Sequence, residues 1–89
     1  MAFYIVNHKV KNFGVWKEVY DEFESTREKY GIKEHYALQS IEDPNHVSVV
    51  GEGELEAIQK FLNSEDLKSG MEGAGVTSPP KIFVGENKR

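Results

Sequence analysis

Five residues near the start of the chain, Ala2-Phe3-Tyr4-Ile5-Val6, restrict its architecture more than any others. They are aromatic, β-branched or small, which suits a strand. Phe3 and Ile5 occupy one parity, Tyr4 and Val6 the other, so both faces of that strand are apolar. A strand apolar on both faces is expected to be covered on both faces. At 89 residues the chain makes one domain with a thin core, and it has no Cys to staple it. Oligomerisation is the remaining way to bury more apolar area.

The strand runs through Asn7-His8-Lys9 into a helix. Asn12 is a good N-cap, and Phe13, Trp16, Tyr20 and Phe23 recur at helical spacing, with Val19 beside them and Tyr30 closing the stripe. One helix is predicted from residue 13 to 30, ended by Gly31 as a natural C′ residue. Residues 32 to 41 read as a second strand, with Ile32, Tyr36 and Leu38 on one parity and Ala37 and Ile41 on the other. Glu42-Asp43-Pro44-Asn45 is a turn. His46 to Val50 is a third strand, released by Gly51 and Gly53. A second helix follows over residues 54 to 63, then a short turn over 65 to 69 capped by Ser64. Gly70, Gly73 and Gly75 are expected in a flexible loop, and Lys81-Ile82-Phe83-Val84 forms a last strand whose prolines suit a sheet edge. Residues 1–85 make the domain; residues 86–89 are expected to be a disordered tail.

The order β-α-β-β-α-β, joined by right-handed crossovers, predicts an α+β, ferredoxin-like antiparallel four-stranded sheet with spatial order 4-1-3-2 and both helices on one face. The other face should then be polar, yet the strands carry apolar residues on both parities. The expected cover is a second copy packed sheet against sheet, giving a homodimer.

The net charge of −4, with scattered lysines, argues against a nucleic-acid surface. The longest apolar run is far too short to cross a bilayer and lacks the flanks of a signal peptide, so no membrane association and a cytoplasmic location are expected. No HxH, HxxxH or HExxH spacing exists and there is no Cys, so neither a metal nor a cofactor is expected. Gly70, Gly73 and Gly75 do not form a dinucleotide fingerprint.

Several side chains are candidates for chemistry. His8 ends strand one and His46 begins strand three, neighbours in the predicted order, so both rings fall at one sheet end. They read either as rim histidines bonded to backbone or water, or as a shared ligand-binding or proton-transfer pair. His35, on a parity with Lys33, is expected to be solvated. Trp16 reads as core, or as the wall of a pocket for an aromatic ligand.

The strand end His8-Lys9-Val10-Lys11-Asn12, the helix with Trp16 and Phe23, Asp43-Pro44-Asn45 before a Val-rich strand, and the tail Phe61-Leu62-Asn63-Ser64-Glu65-Asp66-Leu67 … Met71 … Ala74-Gly75-Val76 … Pro80 together resemble the dimeric α/β-barrel superfamily. The resemblance covers about residues 2–84 and is similar to small bacterial members near the antibiotic-biosynthesis monooxygenases. It implies a dimeric α/β barrel, and either a domain that binds a small apolar or aromatic ligand or a cofactor-independent monooxygenase acting on an aromatic or polyketide-like substrate. Haem-degrading members place an Asn near the end of strand one, but their iron-binding His has no counterpart between residues 54 and 69. Members that oxidise aromatic polyketides use Asn, Trp and Tyr around the substrate, which Asn7, Trp16, Tyr4 and Tyr36 match in type. The candidate set is therefore His8 as base, with Tyr4, Asn7, Trp16, Tyr36 and His46 as ligand-binding residues.

Overall fold

The computed structural model describes all residues, Met1–Arg89. The elements are β1 (Ala2–Lys9), α1 (Phe13–Glu22), α2 (Glu24–Lys29), β2 (Lys33–Gln39), β3 (His46–Gly53), α3 (Leu55–Leu62), α4 (Glu65–Gly73) and β4 (Lys81–Glu86). The strands form one antiparallel sheet in the order β2-β3-β1-β4, the order expected for the ferredoxin-like α+β fold. No helix is long and apolar enough to cross a membrane.

Local chemistry explains most element ends. The Asn12 side chain accepts a hydrogen bond from Val15 N at 3.0 Å and starts α1. Ser64 does the same for α4 through Leu67 N at 3.1 Å. Gly31, at φ +74°, closes α2: its N–H bonds Glu28 O, and that of Ile32 bonds Arg27 O, both at 2.9 Å. This is the paired pattern that an αL residue after a helix permits.

Four expectations are corrected. The long helix is two, interrupted at Phe23, where the Tyr20 carbonyl accepts from both Phe23 N and Arg27 Nη1 instead of continuing the regular ladder. The short turn after Ser64 continues as α4 through Gly70 to Gly73, so only Gly75 of the three glycines lies outside regular structure close by. β4 extends through Gly85 to Glu86, which pairs with Ala2, so the strand takes in the first residue of the expected tail. In β2 the pairing with β3 shifts between Glu34 and Tyr36. That bulge at His35 places two residues where one is opposed, and it reverses the facing of everything after it. Ile32 is buried while Tyr36 and Leu38 are exposed, so the parity that grouped these three is broken by the bulge.

The alternation in β1 sorts the sheet into two faces. Ala2, Tyr4, Val6, His8 and Val10 are buried beneath the helices, together with Val47 and Val49 of β3. These join Trp16, Ile32, Ile58, Phe61 and Ala74 in one core. On the other face, Tyr36, Val50, Ile5 and Phe83 stand opposite one another on four successive strands, an apolar row across the whole sheet. Tyr36 is 62% and Phe83 64% exposed. No helix of this chain covers that row.

Candidate functional site

Antiparallel pairing puts directly opposed residues on the same face, so the register assigns every candidate side chain to a side. Tyr4, His8 and Trp16 lie under the helices. Asn7, Tyr36 and His46 lie on the open face. Of the two readings of His8 and His46, the shared pair does not form: His46 opposes Lys9, the neighbour of His8, and so sits across the sheet from it.

On the open face, His46 Nε2 donates to Asn7 Oδ1 at 2.6 Å, and Asn7 Nδ2 donates to Ser48 Oγ at 2.7 Å. The three line a shallow groove with Leu38, Gln39 and Ser40. Tyr36 stands one row away and is not joined to them. His35 is exposed, as expected, and in that position bonds Glu52 at 2.6 Å and stacks on Phe3.

Beneath the helices lies a predominantly apolar cavity of about 60 Å³. Trp16 stacks on Tyr20 with ring centroids 5.1 Å apart and meets the His8 ring edge-on at 6.0 Å. Phe23, Phe61 and Val49 complete this wall, and Leu67, Gly70 and Met71 of α4 form another side. Three or more metal-binding side chains come together nowhere in the chain.

His8 is the anomaly of this cavity. It is 5% exposed, and neither ring nitrogen has a hydrogen-bond partner. Buried polar atoms are nearly always paired, and an unpaired one costs about 1–3 kcal/mol. Burial, with a smaller contribution from the His46 ring, pushes its pKa below the ordinary 6.5. The imidazole is thus held neutral, with one N–H to donate and one lone pair to accept.

A second polar group, absent from the sequence-based candidates, lies elsewhere in the cavity wall. The Glu34 carboxylate accepts hydrogen bonds from the hydroxyls of Tyr4 and Tyr20, the latter at 3.1 Å. Gly51 lies between Tyr4 and Glu34 in the register, and a Cβ there would come within 2.6 Å of the Tyr4 ring, so the absent side chain is what lets the phenol cross β3. Arg27 is 7% exposed, and its guanidinium lies over the Tyr20 ring at 4.2 Å. Burial raises the Glu34 pKa above its ordinary value, against the lowering effect of the Tyr4 bond and of Arg27. It also pushes the Tyr20 hydroxyl and that of Tyr4 well above the ordinary phenol range. Tyr20 was legible in the aromatic stripe; Glu34 was not, because a glutamate on a strand reads as solvated even on the parity of buried Ile32.

No family model matches the sequence. Nor does any curated protein match it. Solved structures do. An antibiotic biosynthesis monooxygenase superposes with a TM-score of 0.78 at 16% identity, covering 100% of both chains. SnoaB, a cofactor-independent oxygenase from Streptomyces nogalater, gives 0.76 at 12% identity, covering 99% of this chain and 93% of that one. A conserved protein from Methanosarcina mazei Go1 gives 0.75 at 16%, with 99% and 94% covered. Over its full length, the chain has the ferredoxin-like α+β fold of the antibiotic biosynthesis monooxygenase-like proteins.

Proposed function

We propose that this chain is a small homodimeric domain that binds a small apolar or aromatic ligand in the cavity beneath the helices. The observation that carries the reading is His8: a buried imidazole whose two nitrogens have no partner, in a residue that lines an apolar space. A ligand oxygen or N–H that met either nitrogen would remove a desolvation cost the free protein bears. Trp16 and Tyr20 supply a flat aromatic wall for a ring. At about 60 Å³ the space is smaller than the roughly 150 Å³ that holds benzene in an engineered cavity, so one wall must give. That wall is α4, which has no fully buried residue and contributes Met71, an adaptable side chain.

The homodimer reading rests on the row Tyr36–Val50–Ile5–Phe83. An exposed apolar row spanning four strands is what a second sheet would cover.

A second reading, supported by the likeness to the Streptomyces nogalater oxygenase, is a cofactor-independent monooxygenase-like enzyme acting on an aromatic or polyketide-like substrate. Neutral His8 would then accept the substrate proton as general base, with Trp16 holding the ring. One experiment serves both. Trp16 is the only tryptophan, so its fluorescence reports on the cavity directly. A panel of small aromatics should perturb it in the native protein and much less in His8→Phe. Oxygen uptake with any binder separates enzyme from binding domain. If no aromatic perturbs Trp16 and native mass spectrometry finds no co-purifying small molecule, the cavity is packing space only.

A further inference from the structure

We propose that Glu34 is the specificity-determining group of this cavity, the hydrogen-bond acceptor that selects neutral aromatic ligands bearing an O–H or N–H donor. The inference rests on reading the cavity as a ligand site, and it names the chemical class that site takes.

An ionised carboxylate offers about four acceptor positions. Tyr4 and Tyr20 occupy two, so Glu34 keeps acceptor capacity where it lines the cavity. A bracing role alone does not account for a charge in this place. No cation lies within ion-pair distance of Glu34, so the charge is not held there by a partner of opposite sign. A donor on a ligand, in contrast, meets a partly desolvated charged acceptor, the setting in which one hydrogen bond counts most.

The surroundings decide between a neutral and a cationic donor. The groups that face Glu34 are Tyr4 from β1, Tyr20 from α1 and Arg27 from α2, while His35, beside it on β2, is turned to Phe3 and Glu52. Gly51 of β3 contributes no side chain, and α3 and α4 bring Phe61, Leu67 and Met71 to the cavity. Arg27 is already the cation of this cluster, lying over the Tyr20 ring. A second cation would enter a small apolar space against it, whereas a phenol-type hydroxyl carries no such penalty. His8 is the independent sign that a ligand belongs here, because it lines the same space and neither of its buried nitrogens has a partner. Tyr4 and Tyr20 keep their protons, their hydroxyls held far above the neutral range by burial and by Glu34. Both therefore remain donors to the carboxylate, which is left to accept.

Phenol and toluene are nearly isosteric and separate donor recognition from apolar fit. In a cavity selecting only by apolarity, toluene binds better, because the phenol hydroxyl is costly to desolvate. The native protein, titrated with each while the Trp16 indole resonance is followed by NMR, should prefer phenol by roughly tenfold, the scale of a hydrogen bond to a charged group. Glu34→Gln should lose that preference while toluene affinity stays within about twofold. The native protein alone supplies an arm that needs no variant to fold: lowering the pH toward 4.5, through the raised Glu34 pKa, should shrink the phenol-to-toluene ratio, with toluene as the reference for His8 protonation at each pH. A preference for toluene in the native protein, or a phenol preference unaffected by both pH and Glu34→Gln, would overturn the proposal while leaving the cavity reading intact. If neither probe shifts the Trp16 resonance, the cavity reading itself fails and this assignment falls with it.

Discussion

Replacing Trp16 by Ala removes the largest side chain shared by the core and the candidate cavity. Trp16 is 3% exposed, stacks on Tyr20, and packs against Phe13 and His8. Large aromatic truncations in cores cost ~3–5 kcal/mol. The cost has two parts: the lost transfer energy, and roughly 24 cal/mol for each Å³ of cavity that does not collapse. About 100 Å³ of uncollapsed space would thus add about 2.4 kcal/mol. The site can relax on one side only, because β1 and β3 sit at the centre of the sheet while α4 has no fully buried residue. A value near 3 kcal/mol, at the low end of that range, is therefore expected. Against the ~5–15 kcal/mol available to a small domain this is a large fraction. With a urea m-value of ~1–3 kcal/mol/M it moves the midpoint by about 1 M or more. The assay is urea unfolding followed by circular dichroism at equal protein concentration, since the variant has lost its fluorophore. Trp16→Phe, which keeps most of the apolar bulk, should cost much less and serves as control. Because Trp16 also lines the cavity, a small aromatic added in excess should restore part of the lost stability in Trp16→Ala by filling the space. An unchanged midpoint for Trp16→Ala would refute the packing argument; a lowered midpoint with no rescue by any small aromatic would refute the cavity argument.

Four further outcomes follow from the same structure. Sedimentation at micromolar concentration should give a dimer mass, with well over ~1,000 Å² buried in total, and Phe83→Lys in the exposed apolar row should shift it toward monomer; a monomeric native protein would refute the interface. His8 has a folded-state pKa below 6.5, so the unfolded chain binds its proton first as pH falls. Its contribution is then full above about 6.5 and is lost as pH drops through the lowered value, and thermal melts of His8→Phe should be flatter than native across that window. Glu34 acts in the opposite direction: with a raised folded-state pKa, its stabilising share is present below 4.5 and lost as pH rises, so Glu34→Gln should gain on the native protein toward neutral pH. Gly51→Ala places a methyl against Tyr4 and Glu34 and should cost ~1–3 kcal/mol in a thermal or denaturant melt, with a neutral outcome showing that the cluster has room to move.

The sequence by itself determined whatever depends on short-range chemistry. Asn12 and Ser64 start helices because a side-chain oxygen three residues ahead of a free N–H is a local fact. Gly31 ends α2 because few other residues occupy its backbone conformation without strain. The strand order follows from handedness rules that act on any chain with this element order. Tyr4, His8 and Trp16 could be singled out from the sequence, and all three line the space under the helices.

Tertiary structure decided the rest. Asn7 and His46 fall on the open face because a strand alternates sides, and the pairing register places Lys9, not His8, opposite His46. The break at Phe23 depends on Arg27 reaching back to the Tyr20 carbonyl, a contact made while the guanidinium is buried over the Tyr20 ring. The helical run through Gly70 is set by packing, with Phe23 lying where a Cβ at Gly70 would stand, and local propensity would have ended it sooner. Glu34 was least legible of all. A glutamate on a short strand reads as solvated, and only the bare backbone of Gly51 and two tyrosines from separate elements turn it into a part-buried acceptor. Residues that acquire their chemistry from such convergence carry no local mark, because the energy that places them comes from partners up to 30 positions away.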